Sequence, residues 1–223
     1  MTLERAAPQR LFALPGVYRP QADTRLLATA LAHEELGPDA EVMEIGTGTG
    51  ALALRAAGRG ARVTAVDISW SAVLAARVNA FRHRLPMRVL HGDFASRTRG
   101  QRFDMVLVNP PYVPAPRTGL PPHGAERAWD AGPTGRDVID RICARAPALL
   151  RPGGVLLMVH SGLCGPWTTV DRLARAGLSA QVTARAFVPW GPVLRSRRTW
   201  LEDQGLAHEN EEWEELVIIR ASH

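Results

Sequence analysis

The sequence predicts an α/β fold in which a mostly parallel sheet carries helices on both faces. Short apolar runs, typical of buried strands, alternate along most of the chain with longer segments of helical periodicity. In addition, a glycine-rich stretch at residues 46–50 follows the first apolar run and precedes a helical segment, as at strand-to-helix junctions of such folds. Parallel strands joined in this way need right-handed crossovers, so we expect the elements to build one sheet.

The elements follow in order after an irregular start. A first helix is predicted over residues 24–36, which Asp23 or Thr24 can cap and Gly37-Pro38 can end. Seven strands are predicted at residues 41–45, 62–66, 87–90, 103–108, 155–160, 180–188 and 215–220. Helices are predicted at residues 51–57, 71–84, 135–150 and 167–176, with Pro152-Gly153-Gly154 as the stop of the third. No clear helix pair separates the last two strands, which predicts a C-terminal antiparallel hairpin at the sheet edge.

Length and composition indicate a single domain over residues 1–223, because 223 residues with 46% hydrophobic content can bury one substantial core. Residues 1–40 would form an N-terminal cover segment with its helix, and residues 41–223 the core of the domain. The absence of any apolar run of about 18 residues, and of a signal-peptide core, predicts a soluble, cytoplasmic protein without a membrane partner. The two cysteines, Cys143 and Cys164, lack metal-ligand spacing, so we expect no metal site.

The formal net charge of +5 permits contact with nucleic acid without requiring it. Arg195, Arg197 and Arg198 form the only compact basic cluster, and such charge runs more often make a solvated face than a binding site. DNA is not an expected partner because no recognition domain is present, whereas RNA is not excluded.

The stretch Glu-Ile-Gly-Thr-Gly-Thr-Gly at residues 44–50 predicts a small-ligand site. Residues without side chains let the backbone approach a ligand, and the helix that follows offers free N–H groups. The spacing alone fits a nicotinamide dinucleotide as well as S-adenosylmethionine. Glu44 favours S-adenosylmethionine, because its carboxylate would repel a pyrophosphate but suits the cationic ammonium end of that molecule.

Two further segments at strand ends predict the rest of a cofactor site. Asp67 follows the second strand and can accept hydrogen bonds from two ribose hydroxyls. After the third strand, Asp93 can accept from the exocyclic amine of adenine while the N–H of Phe94 meets a ring nitrogen. A turn carboxylate without a ligand is the alternative for Asp93.

Residues 109–112, Asn-Pro-Pro-Tyr, follow the fourth strand and are the most informative motif of the chain. Neither Pro110 nor Pro111 has a backbone N–H, and Pro110 disfavours the helical region for Asn109, so the motif should be extended and stiff. The side-chain oxygen of Asn109 and the carbonyl of Pro110 can then accept both hydrogens of an amide or an exocyclic amine, with Tyr112 flanking its face. A proline-rich loop without chemistry is the alternative.

The order of these motifs resembles that of class I S-adenosylmethionine-dependent methyltransferases, whose single Rossmann-like domain has a mostly parallel, seven-stranded sheet. Residues 17–27 are similar to the opening Val-Tyr-x-Pro-x-x-Asp-Thr-x-Leu-Leu of the short HemK-like protein-glutamine N5-methyltransferases of eukaryotes and archaea. Residues 124–141 resemble the segment after the Asn-Pro-Pro-Tyr motif of that family, and residues 214–221 its last strand.

The resemblance implies S-adenosylmethionine as cofactor and a glutamine in the Gly-Gly-Gln segment of a release factor as substrate. The candidate cofactor-binding residues are Thr24, Glu44, Gly46, Thr47, Gly48, Asp67, Ile68, Asp93, Phe94 and Asn109. The candidate catalytic residues are Asn109, Pro110, Pro111 and Tyr112. Eukaryotic members of the family work with a small zinc-binding activator subunit, which leaves such a partner open here.

Other functions remain open from the sequence. Adenine in a structured RNA, or a small-molecule amine or amide, would offer the same two hydrogens to the motif, and Tyr112 could stack on a base. A noncatalytic S-adenosylmethionine-binding adaptor could use the same fold, and a nicotinamide oxidoreductase a similar glycine loop. The segment 187–210 exceeds what we expect of the relatives, so its role and the identity of the substrate stay open.

Overall fold

The computed structural model describes residues 11–121 and 124–223. The strands of these residues are β1 (Glu41–Ile45), β2 (Arg62–Asp67), β3 (Met87–His91), β4 (Phe103–Val108), β5 (Leu150–Ser161), β6 (Ser179–Pro189) and β7 (Trp213–Ser222). The α-helices are α1 (Ala22–His33), α2 (Ala51–Ala57), α3 (Trp70–His83), α4 (Phe94–Arg97), α5 (Asp137–Leu149), α6 (Pro166–Arg175), α7 (Pro192–Ser196) and α8 (Arg198–Asp203). Two short 3-10 helices cover Ala125–Ala128 and Gly162–Cys164.

All these strands form one sheet in the order β3-β2-β1-β4-β5-β7-β6. The five strands from β3 to β5 are parallel, and β7 runs antiparallel to both β5 and β6. The predicted α/β class, the seven-stranded sheet and the C-terminal antiparallel pair are therefore confirmed. Of the two strands of this pair, β7 lies inside the sheet between β5 and β6, and β6 forms the edge.

Helices cover both faces of the sheet and bury a core on each. On one face, Leu27 of α1, Leu52 of α2 and Val73 of α3 belong to a single cluster of buried side chains. On the other face, Ile142 of α5 and Leu173 of α6 belong to a second cluster. Strands that are buried on both faces are expected to be mostly apolar, and β1 and β4 are, apart from Glu41, Glu44 and Asp104.

The position of the site follows from the pairing of β1 with β4. Ile45 and Val108, the last residues of these two parallel strands, lie opposite each other in the register. The glycine loop and the Asn-Pro-Pro-Tyr motif therefore leave the sheet side by side, at its carboxyl edge. In open α/β sheets this edge is where ligands bind.

The start of the first helix differs from the prediction. It begins at Ala22 with Gln21 as its N-cap, and it ends at His33, three residues before the predicted end at residue 36. Asp23 and Thr24 do not cap the helix; both are buried inside its first turn. The prediction failed because Asp23 is engaged by side chains from other segments, which the local sequence does not reveal.

Three details in the second half of the chain also differ from the prediction. The short helices α7 and α8 lie between the last two strands, where no helix pair was expected. Pro152-Gly153-Gly154 lies inside β5, which begins at Leu150, and the pairing of β5 with β4 shifts its register between Phe103 and Met105. Finally, α5 begins at Asp137 because Gly135 adopts a left-handed φ of 68°.

The first ten residues of the predicted cover segment lie outside the described residues. Within the residues that are described, no helix has the length and apolar composition needed to cross a membrane. Cys143 and Cys164 are buried, free thiols.

Candidate functional site

A cavity of about 600 Å³ opens at the carboxyl edge of β1, β2, β3 and β4. This volume lies within the range of about 300–1,000 Å³ that is typical of small-molecule sites. Every predicted cofactor-binding and catalytic residue lines it, from Thr24 of α1 to Tyr112 of the motif. The structure thus brings the predicted residues together, while the role of each one stays a prediction.

The glycine loop after β1 has a backbone that side chains would disturb. Gly48 and Gly50 have φ values of 53° and 81°, a region that other residues rarely adopt. A Cβ on Gly50 would lie 3.3 Å from the Cβ of Ala76 in α3. The backbone N–H of Gly48 donates to Oδ2 of Asp67 at 2.9 Å, which fixes the loop against the end of β2.

Glu44 is a buried carboxylate at the base of this loop. Its Oε2 accepts hydrogen bonds from the Thr47 hydroxyl and from the backbone N–H of Ala53 at 3.1 Å. Burial raises the pKa of Glu44 to about 8, and the nearby carboxylate of Asp67 adds to this increase. A cationic group in the cavity would favour the ionised form, because opposite charges at short range lower the pKa of an acid.

Asp67 presents its carboxylate at the end of β2. Oδ2 accepts from Gly48, and Oδ1 accepts from the backbone N–H of Ser69 at 2.9 Å. Burial raises its pKa above the ordinary value, and the positive charge of Arg127 opposes this shift. Each carboxylate oxygen can accept a further hydrogen bond, so two hydroxyl groups of a ligand could still be bound.

Asp93 already has structural partners at the end of β3. It is the N-cap of α4, where its Oδ2 accepts from the Ser96 N–H at 3.2 Å, and its other oxygen pairs with Arg141. Asp93 therefore has the structural role of a turn carboxylate, which was the alternative to adenine binding. Phe94 is the first residue of α4, so its N–H lacks a helical acceptor and needs a partner outside the helix. The guanidinium of Arg141 lies 5.1 Å from the centre of the Phe94 ring.

An apolar wall completes the side of the cavity next to Asp67. Ile68 and Trp70 remain 48% and 66% exposed, and both line the cavity. The Trp70 indole stacks on the imidazole of His91, with ring centres 3.9 Å apart and an interplanar angle of 11°. The sequence did not identify Trp70, since an exposed tryptophan in a helix has no motif of its own.

The Asn-Pro-Pro-Tyr motif has its asparagine in a defined orientation. The side-chain nitrogen of Asn109 donates to Oδ2 of Asp23 at 3.0 Å and to Oγ1 of Thr24 at 3.3 Å. Its carbonyl oxygen is then the acceptor left for a ligand. Tyr112 is buried and lines the cavity, while its hydroxyl donates to the same oxygen of Asp23 at 3.3 Å.

The backbone behind the motif is tightly packed. A Cβ on Gly135 would lie 2.3 Å from the carbonyl oxygen of Tyr112, so only glycine fits there. The Cys164 thiol donates to the same carbonyl oxygen at 3.1 Å. The guanidinium of Arg136 binds the carbonyl of Cys164 and the hydroxyl of Thr169, which holds this layer together.

Asp23 is the main site residue that the sequence analysis did not identify. It is 3% exposed and lines the cavity, and Tyr18 donates to its Oδ2 at 2.7 Å. The family resemblance of residues 17–27 could have indicated this site, because Tyr18 and Asp23 both belong to that segment. Only Thr24 of the segment was assigned a role from the sequence. Asp23 and Asn109 are 86 residues apart in the sequence, so only the structure reveals the hydrogen bond between them.

Two arginines of the basic cluster, Arg197 and Arg198, differ from the expected solvated face, while Arg195 is exposed as expected. The side chain of Arg197 is 18% exposed and forms an ion pair with Asp130 at 2.7 Å. It also donates to the carbonyl of Pro114 at 2.9 Å. Arg198 lies over the ring of Trp190, with 5.0 Å between its guanidinium carbon and the ring centre. Arg197 thus holds the α7–α8 segment on the chain that follows the motif, whereas Arg198 packs locally on Trp190.

Fold and site together define a class I S-adenosylmethionine-dependent methyltransferase, with acidic residues at the ends of three successive strands around one cavity. The model of the methyltransferase small domain matches residues 9–119. A putative protein N5-glutamine methyltransferase of Methanocaldococcus jannaschii is 33% identical over 181 residues, which are 81% of this chain and 90% of that protein. The chain belongs to the family of protein N5-glutamine methyltransferases. The predicted fold, cofactor and enzyme class are thereby confirmed.

Bacterial relatives are longer. The release factor glutamine methyltransferase of Moorella thermoacetica is 40% identical over 154 residues, covering 65% of this chain and 54% of that protein. The corresponding protein of Deinococcus radiodurans is 38% identical over 172 residues, covering 74% of this chain and 61% of that protein. The chain therefore matches about half to three fifths of these two enzymes.

Solved structures share the fold at lower identity. Mtq2 of E. cuniculi, in a complex with Trm112 described as responsible for methylation of the eRF1 translation termination factor, has a TM-score of 0.61 at 22% identity. The match covers 93% of this chain and 98% of that one. The T. thermophilus 16S rRNA N2 G1207 methyltransferase RsmC, solved with AdoMet and guanosine, has a TM-score of 0.59 at 24% identity, covering 94% and 46%. At these identities the likeness shows the fold alone.

Proposed function

We propose that this chain transfers the methyl group of S-adenosylmethionine to the side-chain amide nitrogen of a glutamine in a peptide-chain release factor. The observation that carries the proposal is the orientation of Asn109. Its nitrogen is bound by Asp23 and Thr24, so its oxygen is the atom available to a substrate. The next residue, Pro110, has a backbone carbonyl but no N–H. Two neighbouring acceptors, the Asn109 oxygen and the Pro110 carbonyl, suit a substrate group that carries two hydrogens.

The catalytic task is to use a poor nucleophile. The lone pair of a carboxamide nitrogen is delocalised into the carbonyl, by the same resonance that keeps a peptide bond planar. The oxygen of Asn109 and the carbonyl of Pro110 would bind both hydrogens and favour the positive charge that develops on the nitrogen as it attacks. Alignment alone is worth about 7–11 kcal/mol in well-oriented reactions, so a site without a dedicated base is physically reasonable.

The cofactor has a matching set of residues. When bound, S-adenosylmethionine supplies an electrophilic methyl group on a sulfonium. We assign Glu44 to the ammonium end, Asp67 to the ribose hydroxyls, and Asp93 with the N–H of Phe94 to adenine. The cavity volume, the acceptor capacity left on both oxygens of Asp67 and the place of the acidic Glu44 in the cavity lining support this assignment. Gly46, Thr47, Gly48, Ile68 and Thr24 would complete the cofactor contacts.

The names of the relatives support a release factor as the protein partner. By analogy with the Mtq2-Trm112 complex, we also propose a small activator subunit as a second partner. A substrate of translation also makes the cytoplasm the expected place of action. We propose that residues 1–223 act as one methyltransferase domain, with residues 1–40 as its cover segment and residues 41–223 as its catalytic core.

The proposal is tested with labelled S-adenosylmethionine and release factors from the same cell, followed by mapping of the label by mass spectrometry. We expect a methylated glutamine in a Gly-Gly-Gln segment. Label found only in RNA or in a small molecule would refute the substrate while leaving the enzyme class intact.

The variant Asn109→Ala tests the motif. We expect turnover to fall by about 10²–10³-fold, the loss usual for one removed group of an electrostatic site, while cofactor affinity changes much less. Gln181→Ala, which removes an exposed amide on β6, is the matched control and should keep full turnover. Retained turnover in Asn109→Ala would refute the proposed role of the motif.

A further inference from the structure

The carboxylate of Asp23 joins its own segment, residues 17–27, to the distant Asn-Pro-Pro-Tyr motif at residues 109–112. Its Oδ2 accepts from the hydroxyl of Tyr18 at 2.7 Å, from the side-chain nitrogen of Asn109 at 3.0 Å and from the hydroxyl of Tyr112 at 3.3 Å. Its Oδ1 accepts from the hydroxyl of Thr24 at 3.2 Å. Because Asp23 is 3% exposed, water competes little for these bonds.

The polarity of this network allows one orientation of Asn109. An ionised carboxylate only accepts hydrogen bonds, so the group of Asn109 that faces it must be the NH2. The pKa values of Tyr18 and Tyr112 are raised by burial and by Asp23 itself, so both phenols stay protonated and remain donors. Thr24 donates to Asp23 and therefore offers its lone pairs to the same NH2.

The opposite orientation of Asn109 would be unfavourable. A half-turn about the last side-chain bond would place its carbonyl oxygen against the Asp23 carboxylate and leave a buried acceptor without a donor, which costs about 1–3 kcal/mol. It would also present NH2 to the cavity. Such a site would match the oxygen of a carboxylate better than the NH2 of a carboxamide.

We propose that Asp23 is a positioning residue that fixes the orientation of Asn109 and thereby makes the site select glutamine over glutamate. This inference rests on the proposed function, since it explains how the amide is chosen. Glutamine and glutamate have nearly the same shape, so the site must distinguish them by charge and by its pattern of donors and acceptors. Sites built on hydrogen bonds reject an analogue with the wrong pattern much more strongly than apolar pockets do.

The main experiment compares wild-type protein with Asp23→Ala on a Gly-Gly-Gln peptide, with the matching Gly-Gly-Glu peptide as competitive inhibitor. We expect kcat to fall at least about 30-fold and the preference for the glutamine peptide at least about 10-fold, while cofactor affinity stays within about 3-fold. Asp171→Asn, an exposed change on α6, is the control and should leave all three quantities unchanged. An unchanged preference in Asp23→Ala would overturn the inference.

A second readout does not depend on any substrate. The NH2 hydrogens of Asn109 should exchange slowly with solvent in wild-type protein, as measured by NMR, and at least about 10-fold faster in Asp23→Ala, because the bonds that protect them are lost. Equal exchange rates would overturn the inference. If wild-type protein does not methylate the peptide and this difference still appears, the proposed substrate fails while the positioning role holds.

A pair of further variants covers the case in which Asp23→Ala does not fold. Asn109→Asp places two carboxylates against each other and should be nearly inactive. Asp23→Asn combined with Asn109→Asp restores one donor facing one acceptor with the roles exchanged, and should recover turnover at least about 10-fold over Asn109→Asp alone. Absence of recovery in a folded double variant would refute the inference.

Discussion

Replacing Glu44 by glutamine should change how the stability of the protein depends on pH. Glu44 is 3% exposed, and its hydrogen-bond partners among the described residues are uncharged groups, chiefly the Thr47 hydroxyl and the Ala53 N–H. Burial therefore raises its pKa from 4.5 to about 8. Glutamine keeps an oxygen for these two donors but cannot ionise.

The size of the effect follows from the pKa. A shift from 4.5 to about 8 means that folded protein holds a proton which the unfolded chain has lost. The free energy of unfolding should be highest below pH 4.5 and fall by up to about 1.4 kcal/mol per pH unit until about pH 8. Over the whole interval this amounts to roughly 5 kcal/mol, a large part of the stability of a typical domain.

Urea unfolding of wild-type protein and of Glu44→Gln, followed at pH 5, 6, 7 and 8 without cofactor, measures this difference. Titration of groups that do not interact with Glu44 is common to the two proteins and cancels, which leaves Glu44 itself and its coupling to Asp67. The variant should therefore gain stability relative to wild-type protein at each higher pH. Glu35→Gln, an exposed change, is the control and should follow the wild-type curve. Parallel curves for wild-type protein and Glu44→Gln would refute the reasoning.

Three further outcomes are expected. Cofactor affinity of wild-type protein, measured by calorimetry, should increase between pH 6 and 8 by up to about 10-fold per unit, because a cation favours ionised Glu44, whereas Glu44→Gln should show little dependence. Gly135→Ala should abolish turnover and lower the melting temperature, because its Cβ would lie 2.3 Å from the Tyr112 carbonyl; a wild-type melting curve would contradict this. Arg197→Gln should cost roughly 3 kcal/mol in urea unfolding, because it leaves Asp130 buried without its ion pair, and adding Asp130→Asn should recover part of the loss.

The sequence predicts the parallel part of the fold well, for a physical reason. The strands β1 and β4 are buried on both faces, so each is mostly apolar apart from Glu41, Glu44 and Asp104, and its end is marked by glycine or by Asn-Pro. The predicted bounds of both strands, 41–45 and 103–108, are those of the structure. The same strand ends located the residues that line the cavity.

The remaining features depend on contacts that no local pattern reveals. The helices α7 and α8 have five and six residues, too few for a helical period to appear, and they are stabilised by packing around Trp190 and Leu201. Asp23 lies in a helix start and looks like a cap, yet its partners include Asn109 and Tyr112. Polar networks between distant segments become visible only when the chain is folded.

Strand β7 runs from the cavity edge of the sheet to the opposite edge. Trp213 lies beside Pro189 at the cavity edge, whereas Ser222 lies beside Val155 at the opposite edge. A fluorophore, tether or fused protein attached after His223 would therefore emerge on the side remote from Asn109. Immobilised through this point, the molecule would present its cavity to solution, so that binding of a large protein could be followed without obstruction by the support.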